Sequence, residues 1–244
     1  MSAPVVVLPR RRAGAVLMAC ALGFLTGEVV ATLLVAIGTS LDHYPGGLTA
    51  LAHAATPPWW ANALSLAGLW VGFGGAILYS SGPGGLAPLP AAWRVRASDA
   101  GYVALGVGCQ VAVGLIYAPF HVKSLGRPVH HLFASASGAS LVALGVMTSL
   151  LAPLLEEWFF RGVVFRALES AAGASSVGTV AAVVLSALLF AAAHAELVQF
   201  AGLALLGVVL AVLVVRTQRL VPSVITHASF NSVAFVALLV QRAH

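Results

Sequence analysis

Charged residues are scarce in this chain. Of its 244 residues, 12 are Lys or Arg and 7 are Asp or Glu, so only 8% are charged, against about 25% in a typical soluble domain. Hydrophobic residues make up 60% of the chain. This composition excludes a soluble globular domain, a disordered chain and a nucleic-acid-binding protein. It predicts an all-α fold, a polytopic transmembrane helix bundle that forms one integrated membrane domain.

The motifs of several enzyme classes are also missing. The sequence has no His-Glu-x-x-His, no Gly-x-Ser-x-Gly and no Gly-rich phosphate loop. These absences disfavour a helical zinc protease, a serine-type intramembrane protease and an ATP-driven pump. The two cysteines, Cys20 and Cys109, both fall within apolar runs, so we expect no disulfide.

Apolar runs of the length needed to cross the hydrocarbon core, about 20 residues, occur about seven times. We predict spans near residues 13–38, 60–79, 100–118, 141–168, 177–194, 198–215 and 221–240. The first run is too long for a cleaved signal peptide, so it is predicted to be a retained helix. Gly23-xxx-Gly27 and Gly68-xxx-Gly72 either allow two helices to approach closely or reflect the general abundance of glycine.

The distribution of basic residues predicts the orientation. A cytoplasmic N-terminus places nine basic residues in cytoplasmic segments: Arg10, Arg11, Arg12, Arg94, Arg96, Arg161, Arg166, Arg216 and Arg219. Only three, Lys123, Arg127 and Arg242, then lie on the other side. Because cytoplasmic loops carry the excess of Lys and Arg, we expect a multi-pass protein of the plasma membrane with its N-terminus in the cytoplasm. The excess of Arg over Lys is typical of a GC-rich bacterial genome.

Three apolar segments in the second half of the chain contain polar or ionisable residues at bilayer depth. Charged side chains there cost roughly 2.5–3.5 kcal/mol each on insertion scales, so they are usually paired and functional. The candidate site residues are Glu156, Glu157 and Arg161 in the fourth span, Phe190 and His194 in the fifth, and His227 and Asn231 in the seventh.

The spacing of these residues predicts a shared polar centre. Glu157 and Arg161 are four residues apart on one helix face and can form an ion pair. Glu156 points about 100° away from Glu157 and can face a cavity. Together with His194 and His227 it could ligate Zn²⁺ and leave one position open for water. The same groups could act without a metal, with Glu156 as general base on water and His and Asn side chains as oxyanion donors.

The depth of the motifs constrains the fourth span. If that helix ended at Glu156, His194 would lie ~26 Å away at 1.5 Å per residue, and the two side chains could not meet. The helix must therefore run from about residue 141 to 168, with Glu156 near its middle. We expect a polar cavity at intermediate depth.

Glu156-Glu157-xxx-Arg161, Phe190-xxx-His194 and His227-xxx-Asn231 resemble, in order, the three motifs of the CPBP family. This family comprises the CAAX prenyl protease 2 (Ras-converting enzyme) and bacteriocin-processing, or Abi, intramembrane proteases. The resemblance covers roughly residues 141–240. It suggests that residues 1–135 form variable N-terminal transmembrane helices and residues 136–244 form the catalytic core.

The resemblance implies an endopeptidase that cleaves membrane-bound peptides or proteins, CAAX-type prenylated ones among them. Glu156 would activate water, with Glu157 as the second motif glutamate and Arg161 as its basic partner. The resemblance further implies an active site that opens to the cytosol.

The remaining motif residues have roles that the resemblance leaves in two versions. His194 would assist the water or bind a metal, whereas His227 and Asn231 would stabilise the oxyanion or contribute to a metal site. Members of the family are described as metalloproteases and also as metal-free glutamate proteases. The cofactor is therefore either Zn²⁺ or none.

Two other functional classes stay open. Glu156, His194 and His227 would also suit the proton path of a transporter or channel, although no inverted repeat or pair of broken helices is visible. A non-hydrolytic relative could act as an immunity or scaffold protein. The sequence predicts no oligomeric state.

Overall fold

The computed structural model describes residues 8–83, 85–86, 92–122, 124–173 and 175–243, and the secondary structure of this part is helical throughout. Within these described residues, seven helices are long and apolar enough to cross a bilayer. They are α1 (Arg10–Leu41), α2 (Trp59–Ser80), α3 (Ala97–Phe120), α4 (Gly138–Ala172), α5 (Ser176–Ala193), α6 (Phe200–Thr217) and α7 (Val221–Ala243). The predicted all-α bundle of about seven spans is confirmed.

Large apolar side chains cover much of the outer surface of the bundle. Leu41, Leu78 and Leu115 are 77%, 75% and 68% exposed. A water-soluble protein rarely exposes so much contiguous apolar surface, whereas the acyl chains of a lipid bilayer solvate it. The exposed side of each helix is therefore its lipid-facing side.

The first two spanning helices pack closely through glycine. A Cβ atom added at Gly72 would lie 2.1 Å from the carbonyl oxygen of Gly23 and 2.6 Å from the nitrogen of Gly27. One added at Gly68 would lie 2.3 Å from the nitrogen of Ala31. Only glycine permits this separation, so the close-approach interpretation of the two glycine motifs is confirmed.

An aromatic cluster joins α2, α4 and α5 beneath the candidate site. The rings of Phe73 and Phe159 stack with their centroids 4.1 Å apart, and Phe160 packs edge-on against Phe190 at 5.4 Å. Phe73 and Phe190 are almost completely buried. Since such pairs hold their rings in preferred geometries, the cluster fixes how the three helices are rotated.

A buried ion pair fastens the start of α7. Both terminal nitrogens of Arg219, between α6 and α7, bond the carboxylate of Asp99 at 2.8 and 2.7 Å. One of them also donates to the carbonyl oxygen of Arg94 at 2.8 Å. The pair is 3% and 1% exposed, and it anchors the helix that carries His227 and Asn231.

The glycine contact predicts a specific stability difference. Gly72→Ala should lower the thermal unfolding temperature in detergent, because overpacking a tight contact costs about 1–3 kcal/mol. The matched control is Gly74→Ala, since a Cβ there meets nothing within 4 Å and alanine is the better helix former. Equal unfolding temperatures for the two variants would contradict the packing described here.

Candidate active site

The backbone of α4 departs from α-helical geometry on either side of Glu156. Residues Met147–Leu151 and Trp158–Val164 are π-helical, and the N–H of Ala152 bonds the carbonyl oxygen of Met147, five residues back. The next nitrogen, in Pro153, carries no hydrogen. The two nitrogens that could donate to the carbonyl oxygen of Thr148, four and five residues further on, are those of Ala152 and Pro153. The first is used by Met147 and the second has no hydrogen, so this carbonyl has no donor within the helix.

Asn231 supplies the missing donor. Its Nδ2 atom in α7 donates to the carbonyl oxygen of Thr148 at 2.9 Å. Because an unpaired buried carbonyl is costly, the irregular turn of α4 and the amide of α7 stabilise each other. The second hydrogen of Nδ2 is left for another acceptor.

Arg161 is the centre of a completely buried network. Its Nη1 atom donates to Oε1 of Glu157 at 2.9 Å, with both side chains 0% exposed. Its Nη2 atom donates to the carbonyl oxygen of Gly207 in α6 at 3.1 Å. Oε1 of Glu157 also bonds Nδ1 of His227 at 3.1 Å. The ion pair predicted from the four-residue spacing is present, and it links α4 to α6 and α7.

The second carboxylate of the motif faces the two histidines. Oε2 of Glu156 lies 4.0 Å from Nε2 of His194 and 3.8 Å from Nε2 of His227. This oxygen is buried and has no hydrogen-bond partner. A water molecule can bridge polar groups at such separations, so one water could contact all three atoms.

Hydrogen bonds on the far side of each ring fix the roles of the ring nitrogens. Nδ1 of His194 bonds the carbonyl oxygen of Phe190 at 2.8 Å, and Nδ1 of His227 bonds the Glu157 carboxylate. Both partners can only accept, so both Nδ1 atoms carry hydrogen. Nε2 is then the nitrogen that each ring turns toward Glu156.

Phe190 separates and supports the two imidazoles. Its ring packs edge-on against His194 and His227, at centroid distances of 4.7 and 5.4 Å, and it also contacts the guanidinium of Arg161 at 4.4 Å. The side chain is 0% exposed. Phe190 thus connects the guanidinium of the buried network to the two histidine rings.

A cavity of about 930 Å³ lies beside Glu156, near the upper end of the usual range for ligand sites. Glu156, His194 and Asn231 all line it. Most of the other lining side chains are apolar, and they come from α2, α3, α6 and α7 and from the connector between α3 and α4. The predicted cavity is present, but its wall is largely apolar and only part of it is polar. Glu156 lies 18 residues after the start of the 35-residue α4.

The proposed zinc ligands have suitable chemistry but wide spacing. Tetrahedral ligands bound at 2.0–2.2 Å lie about 3.3 Å from each other, whereas the nitrogens of His194 and His227 lie 4.0 and 3.8 Å from the Glu156 oxygen. In the part of the chain that the structure describes, no group of three or more His, Cys, Asp or Glu side chains is arranged to hold a metal ion. Binding of Zn²⁺ would therefore require these side chains to move closer together, and the metal stays a prediction.

All seven residues singled out from the sequence converge on this site, but sequence reasoning missed several of their partners. Thr148 and Gly207 contribute only backbone carbonyl oxygens, which leave no side-chain signal. Pro153 was the available clue to the role of Thr148, since a proline within a long helix removes one backbone hydrogen-bond donor. The Asp99–Arg219 pair gave no local signal because its members are 120 residues apart.

Comparison with protein families agrees with this geometry. Residues 138–233 match the family model described as type II CAAX prenyl endopeptidase Rce1-like. These residues are therefore similar to an Rce1-like domain. No match is found among the curated proteins or the solved structures that were compared.

The match confirms the family resemblance of the three motifs, because the Rce1-like domain contains all of them. The general activity of the family is that of a CAAX-type protease, and the apolar helices make this chain a multi-pass membrane protein. The division between residues 1–135 and 136–244 stays a prediction.

The buried network predicts a strong stability effect. Arg161→Leu should lower the free energy of unfolding by about 3–5 kcal/mol, because it leaves the Glu157 carboxylate buried without its counter-ion. Thermal unfolding in detergent measures the loss, with the exposed Arg216→Leu as the matched control. Adding Glu157→Gln to Arg161→Leu removes the unpaired charge and should recover part of the stability. An Arg161→Leu protein as stable as the control would refute the network.

Proposed function

We propose that the chain is an intramembrane endopeptidase in which Glu156 activates a water molecule for attack on a peptide bond. The observation that carries this proposal is the unpartnered Glu156 oxygen, buried and within one water's reach of two imidazole nitrogens. The side chains of Glu156 and His194 are 14% and 31% exposed, so substrate entering the cavity would reach both.

The reaction follows from these roles. Glu156 takes a proton from the water as the water oxygen bonds to the substrate carbonyl carbon. The free hydrogen of Asn231 Nδ2 donates to the developing oxyanion. When the C–N bond breaks, Glu156 returns the proton to the leaving amine, which gives one carboxylic acid and one amine. None of these steps passes through a metal.

The substrate class follows from the lining of the cavity. Its largely apolar wall beside a polar catalytic end suits a peptide segment that enters from the membrane, either an unmodified apolar segment or a CAAX-type segment with an attached lipid. A lipid bilayer and a membrane-bound peptide or protein are therefore the expected partners.

The catalytic assignment is tested by proteolysis in liposomes. Glu156→Gln and His194→Ala should each reduce kcat by about 10²–10⁴-fold, the usual contribution of general acid–base groups. The matched control is Glu28→Gln, which makes the same chemical change at an exposed carboxylate of α1. Suitable probes are a farnesylated CAAX peptide and an unmodified transmembrane peptide.

Three outcomes separate the competing functions. Equal cleavage by the wild type and both site variants would remove the catalytic assignment. Proton flux into the liposomes that depends on Glu156, without cleavage of either peptide, would identify a transporter. Stoichiometric Zn²⁺ in the purified protein, lost together with activity upon chelation and restored by the metal, would replace the metal-free steps proposed here.

A further inference from the structure

The cavity opens at one particular end of the bundle. The connectors around residues 42–58, 124–137 and 194–199, together with the end of α7, form what we call the mouth end. Their contacts show that they lie together: Ser135 bonds the carbonyl oxygen of Pro57, Gln199 that of Leu125, and Arg242 that of Ala136. Residues 124–133 and 194–199 supply much of the cavity wall.

The start of α1 lies at the opposite end, which we call the N-terminal end. There the backbone nitrogen of Leu8 bonds Ser170 at the end of α4, and Arg12 bonds the carbonyl oxygen of Pro83 after α2. The nitrogen of Leu220 bonds the carbonyl oxygen of Ala92. No residue of these segments lines the cavity.

Basic residues are concentrated at the N-terminal end. After the completely buried Arg161 is set aside, this end holds Arg10, Arg11, Arg12, Arg94, Arg96, Arg166, Arg216 and Arg219. The mouth end holds Arg127 and Arg242 among the described residues, while Lys123 of the sequence count lies outside them. The N-terminal end still holds more basic residues than the mouth end when the buried Arg166 and Arg219 are also set aside.

This asymmetry conflicts with one of the two expectations drawn from the sequence. Short loops rich in Arg stay in the cytoplasm during membrane insertion, which places the N-terminal end there. The mouth end, with its cavity, then faces away from the cytoplasm. A cytoplasmic N-terminus and an active site that opens to the cytosol are therefore incompatible in this fold.

We propose that the cavity opens on the extracytoplasmic side of the membrane. Given the proposed endopeptidase activity, on which this step rests, the substrates are peptide segments of membrane-anchored or exported proteins at that face. The position of His194 supports the same orientation. This residue directly follows α5 at the mouth end, so the substrate backbone would approach from that end.

Cysteine accessibility tests the orientation without reference to activity. In a Cys20→Ala/Cys109→Ala background, Leu197→Cys places a thiol at the mouth end and Gln218→Cys places one at the N-terminal end. The native residues are both exposed, Leu197 at 91%. A membrane-impermeant maleimide should label the Leu197→Cys protein in intact bacterial cells, and the Gln218→Cys protein only after permeabilisation. The reverse pattern would overturn the proposal.

A paired substrate assay in cells then separates the orientation from the chemistry. One single-span reporter carries an apolar cleavable segment on the extracytoplasmic side of its anchor, and a second carries the same segment on the cytoplasmic side. Release of the first alone, lost in Glu156→Gln, supports the proposal, and release of the second alone overturns it. If Leu197→Cys is labelled from outside and neither reporter is cut in cells or liposomes, the orientation holds and the endopeptidase function fails.

Discussion

The arrangement of the site depends on a pair of opposite charges that have no contact with water. Glu157 and Arg161 neutralise each other within α4, and each also reaches a second helix: Arg161 bonds a backbone carbonyl of α6, and Glu157 orients His227 of α7. A buried ion pair contributes little net stability compared with apolar packing. Its value here is that few helix arrangements satisfy both charges, which selects the one that places His227 beside Glu156.

The same pair explains why two adjacent carboxylates differ in role. Glu157 has an arginine and a histidine as partners, whereas Oε2 of Glu156 has none and lies near the cavity. The rotation of about 100° between neighbouring helical residues is enough to separate a structural acid from a reactive one. Phe190 maintains the division, because its ring contacts both histidines on one side and Arg161 on the other.

Much of this could be predicted from the sequence because the bilayer restricts the choices. Apolar runs define the spans, and the four-residue spacing of Glu157 and Arg161 allows few geometries other than an ion pair. The contacts that could not be predicted involve either backbone atoms or residues that are far apart in the sequence. The carbonyl oxygen of Thr148 and the pairing of Asp99 with Arg219 are products of the tertiary fold, and Arg161, counted as a cytoplasmic loop residue, is completely buried in the interior.

The π-helical turns of α4 have a consequence for the length of that span. Each wide turn accommodates one more residue than an α-helical turn would. Loss of a single residue within Trp158–Val164 would let the backbone relax to regular winding, and the residues beyond it would keep their orientation relative to Glu156. Loss of one residue from a regular α-helical part of α4 would instead rotate everything beyond it by about 100°.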